Sequence, residues 1–202
     1  MKQELVRNST DRATRHINRV PAVNIHHATR YAQRRGLPLN KMVTVNFTEL
    51  GVTDQASRLF RRMLTQRFAP WLRRSIPTRA KSAPTYVWVV ENTSGTIAAH
   101  WLVHVPKGTA RVFASKLSAW LEGLSGGRPQ GRTIQIERVY NLVGARRYIL
   151  KGVNPAWASH LGVRPSDQGI VNGKRSGFSR NLGPTARKAG GYVPRRHGFR
   201  SS

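Results

Sequence analysis

The stretch TYVWVVENTSGTIAAHWLVHVP, residues 85–106, constrains the fold more than any other part of the chain. Two β-branched and aromatic runs flank Asn92-Thr93-Ser94-Gly95, a polar tetrapeptide ending in glycine. That pattern predicts an antiparallel hairpin. Runs this apolar need cover, so the neighbouring segments have to supply the rest of a sheet and its helices.

They do so in a definite order. In KMVTVNFTEL, Val43, Val45 and Phe47 alternate with Thr44, Asn46 and Thr48, the period of a strand. Ala56, Leu59, Phe60, Met63 and Leu64 then recur at helical spacing, with Thr53 or Asp54 as a cap and Pro70 expected to end or kink the helix. Residues 74–84 read as a basic loop. After the hairpin, Phe113, Leu117, Trp120, Leu121 and Leu124 make the stripe of a second helix stopped by Gly126-Gly127. RTIQIERVY reads as a fourth strand, and NLVGARRYILKGV as a short helix ending near Gly152. The order β-α-β-β-α-β-α predicts an α+β fold: a ferredoxin-like antiparallel sheet with helices on one face and an extra helix after the last strand. This domain is expected over residues 41–161. Residues 1–40 read as a basic N-terminal arm with at most one short helix. Residues 162–202 read as a mostly disordered, basic, Gly/Arg-rich tail, because residues 164–200 hold nine Lys or Arg against the single acid Asp167.

Charge narrows the partners. Lys and Arg number 35 against 8 Asp and Glu, a net charge of +27. Such an excess opposes a compact state by self-repulsion unless a polyanion neutralises it. Nucleic acid comes first among such partners, since its phosphates release counterions to Lys and Arg. An anionic membrane and an acidic protein follow. The chain has no cysteine, which excludes disulfides and thiolate zinc sites and fits a reducing cytoplasm. No run approaches the ~18 apolar residues of a spanning helix, and MKQELVRNSTDRATRH has no apolar core of a secretory signal. A soluble, cytoplasmic protein is the expectation. Tyr86, Trp88 and Trp101 fall on strands, where they serve either as core or, on an open face, as platforms for bases.

Two motifs carry chemistry. Tyr148 and Lys151, three residues apart, share a face if the segment is helical. A nearby lysine favours the phenolate and neutralises charge on a phosphate, which is what a tyrosine nucleophile needs. His100 and His104 lie on the second hairpin strand, but four residues of extended chain separate them by ~13 Å, too far to share one ion.

In the order VTVNF, AAHWLVH, YILK, residues 41–152 resemble the HUH endonuclease superfamily, the rolling-circle replication initiators with their relaxase and transposase relatives. The resemblance implies a nickase. Tyr148 would attack a phosphodiester of single-stranded DNA, with Lys151 as its electrostatic helper, while Mg²⁺ or Mn²⁺ polarises the phosphate. It further implies a plasmid, phage or integrated element as host. The superfamily's His-hydrophobic-His pair falls on Ala98 and His100, so the first histidine is missing. Some replication initiators carry a glutamate ligand seven residues before that first histidine, and Glu91 holds that place. A turn centred on Ser94-Gly95 pairs residue 91 near residue 98 and sets Glu91 diagonal to His100. Glu91 and His100 are thus the candidate metal ligands. Arg146, Arg147, Lys174, Arg175 and Arg180 are the candidate nucleic-acid contacts. The alternatives are a non-catalytic nucleic-acid-binding protein on the same fold and a structural ribonucleoprotein component.

Overall fold

A computed structural model describes residues 13–76 and 83–194. The first part of the expected arm, residues 77–82 of the basic loop and the end of the tail lie outside the described residues. In chain order the elements are β1 (Ala13–Thr14), α1 (Arg19–Arg34), β2 (Lys41–Asn46), α2 (Ala56–Arg62), a π-helical turn (Met63–Phe68) and α3 (Ala69–Ser75). Then come β3 (Tyr86–Thr93), β4 (Thr96–Val103), α4 (Ala110–Ser125), β5 (Ile134–Arg138), α5 (Leu142–Ile149) and α6 (Pro155–Ala158). β6 (Val171–Asn172), β7 (Ser176–Phe178) and α7 (Pro184–Ala189) close the series.

The protein is α+β, built on a five-stranded antiparallel sheet in the order β5-β2-β4-β3-β7. The β3–β4 hairpin is central and sets Glu91 opposite Ala98. Alternation assigns the two faces. Val43, Val45, Trp88, Val90, Ala99, Trp101 and Val103 point to one face and pack under α2, α3 and α4. Trp101 is fully buried there, edge-on to Phe60 and Phe68. Aromatic pairs of this kind add ~1 kcal/mol each beyond area burial. Tyr86, Trp88 and Trp101 are therefore core and are closed to stacking bases.

The opposite face carries Val87, Val89 and Leu102, covered by residues of α1 and α5 and by Val153, Leu161 and Leu182. Helices thus lie on both faces, where one was expected. The segment expected as an arm contributes a helix to the core. α1 is 16 residues long and buries Ala22, Ile25, Ala28, Tyr31 and Ala32. Three of its seven buried residues are alanine and two are His26 and Thr29, which gives helical spacing with little hydrophobic signal. Residues 162–194 of the expected tail are folded as well. β7 adds the fifth strand to β3, and β6 pairs with β1. Gly177 makes this possible, because a Cβ there would lie 2.8 Å from the Trp88 indole nitrogen. Arg187 of α7 is buried and donates to the carbonyl and side-chain oxygens of Asn24 on α1. Pro70 does not end its helix. A π-helical turn precedes it, and the wider loop absorbs the missing N–H so that α3 continues to Ser75. No helix among the described residues is long and apolar enough to cross a membrane.

Candidate functional site

The face under α1 and α5 is apolar except at one place. Glu91 on β3, His100 on β4 and Thr44 on β2 project from it side by side, since Thr44 pairs with His100 and Glu91 sits diagonal to it. His100 Nε2 lies 2.6 Å from Glu91 Oε1, and its Nδ1 lies 3.0 Å from Thr44 Oγ1. The imidazole therefore donates to the carboxylate from Nε2, and in the neutral ring Nδ1 accepts from the threonine hydroxyl. Both side chains are nearly closed to solvent, 5% exposed for His100 and 11% for Glu91.

α5 completes the cluster. Asn141 caps it by accepting from the Gly144 amide, and the helix delivers Tyr148 near its C-terminus. The Tyr148 ring meets His100 edge-on, with centroids 5.2 Å apart. Lys151 is not on the helix, as expected from its spacing, but in the turn just beyond it, where its amide donates to the Tyr148 carbonyl. That turn folds its ammonium back over the Tyr148 ring, 4.2 Å from the centroid, and onto Glu91 at 3.2 Å from Oε2 and 3.4 Å from Oε1. Tyr148 itself is 41% exposed, while its ring rests against His100 and Lys151. Four residues from two strands, a helix and a turn thus meet at one point: Glu91, His100, Tyr148 and Lys151.

The electrostatics follow from this geometry. Burial alone would raise the Glu91 pKa. The hydrogen bond and charge of His100, then the charge and hydrogen bond of Lys151, outweigh it and hold the carboxyl below its ordinary value. Glu91 stays ionised and neutralises the lysine beneath the tyrosine.

A divalent cation does not fit this arrangement. The Nε2 that would ligate it carries the proton bonded to Glu91, and a ligand imidazole nitrogen must be free of its proton. The two carboxylate oxygens face an ammonium. Among the described residues no group of three or more His, Asp or Glu side chains is placed to hold a metal. The cation facing Glu91 is Lys151, so no step is derived through Mg²⁺ or Mn²⁺.

His104 takes no part. It lies past the end of β4 and donates from Nδ1 to the Pro38 carbonyl, with burial, partly opposed by that bond, lowering its pKa. Arg175, expected at the nucleic acid, is 4% exposed and donates to the carbonyls of Thr14, Arg15, Gln168 and Gly169. It ties the β1 strand and the 167–169 turn together, buried among backbone oxygens. Lys174 and Arg180 are exposed. Arg146 and Arg147 lie on α5 and line a separate cleft against α1. Sequence reasoning missed Thr44 as the partner of His100 and Arg30 of α1 as a neighbour of that cleft. Cross-strand pairing would have found Thr44, and recognition of α1 as a helix would have found Arg30.

No family model, curated protein or solved structure matches the chain.

Proposed function

We propose that this protein binds single-stranded DNA and cuts it by transesterification through Tyr148, in the manner of rolling-circle replication initiators. The phenol oxygen attacks the scissile phosphorus and loses its proton to water. The bond from phosphorus to the 3′-oxygen breaks, that oxygen takes a proton and leaves as a 3′-hydroxyl, and the 5′-phosphate stays on Tyr148. Lys151 favours the phenolate and meets the charge of the phosphate. Glu91 and His100 hold Lys151 and the tyrosine ring in place as positioning residues.

The observation that carries this reading is the convergence of Tyr148, Lys151, Glu91 and His100, Glu91 and Lys151 lying 60 positions apart in the chain, into one cluster in which Tyr148 is exposed above the buried Glu91 and His100. The sheet supports it as well. Within β5-β2-β4-β3 the four main strands run fourth, first, third, second, which we read as ferredoxin-like with β7 added at the edge. The setting inferred is the cytoplasm of a cell that carries a plasmid or phage.

A second reading is a non-catalytic binding protein on the same fold. Ala98 in place of a histidine, and a Glu91–His100 pair bonded to itself, favour it. One experiment separates the two. Labelled single-stranded oligonucleotide pools that include candidate origins are incubated with the protein and with Tyr148→Phe, and resolved on a denaturing gel. An adduct formed by the parent and lost in Tyr148→Phe is expected for cleavage. Equal retention of DNA by both proteins with no adduct supports the second reading.

A further inference from the structure

Between α1 and α5 lies an open cleft of about 700 Å³, apart from the Tyr148 cluster but built on the same helix. Arg30 and Gln33 of α1, Arg146 and Arg147 of α5, and the Ser159–Gly162 segment line it. Three guanidinium groups therefore face one concavity. Among the described residues none of the three is in an ion pair. The Arg146 Nε is buried with no hydrogen-bond partner. Burial, then the charges of Arg30 and Arg147, lower the Arg146 pKa, so the cluster works against itself as it stands. Gly162 is part of the design. It is left-handed at φ 61°, and a Cβ there would come 3.3 Å from an Arg147 guanidinium nitrogen. The glycine gives that guanidinium room at the cleft wall.

Three guanidinium groups without an ion-pair partner around one cleft, Arg30 and Arg146 partly buried and Arg147 exposed, have one natural complement, an oxyanion that bonds several of them at once. An isolated carboxylate suits a single fork, whereas a phosphate offers oxygens to three donors. Its source is narrowed by position. Arg147 precedes Tyr148, so the two are one residue apart on the helix that presents the nucleophile. We propose that Arg30, Arg146 and Arg147 hold a backbone phosphate of the same strand that Tyr148 acts on, fixing the strand across α5. This deepens the reading of the chain as a single-strand-binding protein and rests on it.

The test measures binding of the full chain to a labelled oligothymidylate across a series of salt concentrations. It compares the parent with Arg30→Gln/Arg147→Gln and with a control pair, Arg111→Gln/Lys116→Gln, exposed on α4 over the opposite face. Both pairs remove the same charge. The cleft pair is expected to lower the slope of log K against log salt by about 0.7, one phosphate on a single strand, while the control pair leaves it unchanged. Its thermal midpoint should equal or exceed the parent's, because repulsion is relieved. Equal slope losses in both pairs, or none in either, overturn the proposal. A second arm follows the thermal midpoint with inorganic phosphate. Stabilisation of the parent alone, with unchanged oligonucleotide slopes, assigns the cleft to free phosphate and overturns the strand as its source. The failure of the proposed function is seen separately. A slope loss confined to the cleft pair, in a protein that forms no Tyr148 adduct, supports the phosphate site and contradicts cleavage.

Discussion

At the residue scale an exposed tyrosine rests on a buried carboxylate and its lysine partner. Tyr148→Phe removes one oxygen from a half-exposed ring, so its unfolding free energy should stay within ~0.5 kcal/mol of the parent. Oligonucleotide binding should hold while strand cleavage disappears, read by denaturant titration beside the gel. Lys151→Gln removes the charge that meets the phosphate. It should lower the single-turnover cleavage rate by roughly 10²–10³-fold with little change in binding, and Lys151→Arg should recover part of it. Because that ammonium stands against Glu91 in place of a metal, cleavage by the parent should persist in a chelator. Strict dependence on Mg²⁺ or Mn²⁺ would show instead that Glu91 and His100 open to take a cation. Glu91→Gln leaves Lys151 without its buried counter-ion and should destabilise the fold by about 3 kcal/mol at neutral pH. The sign of its pH dependence is fixed by the depressed carboxyl. The stabilisation is present above the unfolded value, ~4.3, and fades as pH falls through the lower folded value. The stability gap between the parent and Glu91→Gln should therefore shrink in acid, measured by urea unfolding at a series of pH values.

At the scale of elements the sheet depends on segments with little hydrophobic signal. Gly177 lets β7 lie against Trp88, so Gly177→Val should overpack that edge, destabilise by ~1–3 kcal/mol and lower the urea midpoint. How far this was legible in the sequence follows from which residues do the packing. The hairpin, β2 and α4 bury Trp, Phe, Val and Leu at strict periods, and these could be read directly. The family resemblance pointed to Glu91, and the register of the hairpin set it diagonal to His100. α1 packs through Ala22, Ala28 and Ala32, whose size hides an amphipathic helix inside a basic sequence. β7 is three residues long, and β6 is two. Strands that short have no period, and their pairing is set by tertiary contacts such as Arg175 with four carbonyls. Arg175 also illustrates why charge alone misleads, since a buried guanidinium can serve backbone oxygens. Spacing paired Lys151 with Tyr148 as helical neighbours, whereas the helix stops at Ile149 and a turn makes the contact.

At the scale of the molecule a charge of +27 is carried by a fold that leaves few acids to balance it. Among the described residues Asp167 pairs with Arg15 and Glu91 with Lys151, and most basic groups face outward. Affinity for any nucleic acid should therefore fall steeply with salt whether or not the chain cuts, and such a dependence cannot test the chemistry. The two faces of the sheet divide the work. One is a dry aromatic core under α2, α3 and α4, which gives rigidity. The other sets Tyr148 above its ion pair and, across α5, the arginine cleft. The most direct test is to digest the protein–DNA adduct with trypsin and nuclease and weigh the peptide Tyr148–Lys151, which trypsin releases between Arg147 and Lys151. The account predicts that this peptide carries a nucleotide through its tyrosine, joined to a 5′-phosphate. Cleaved DNA with that peptide unmodified, or a nucleotide on any other residue, would contradict it.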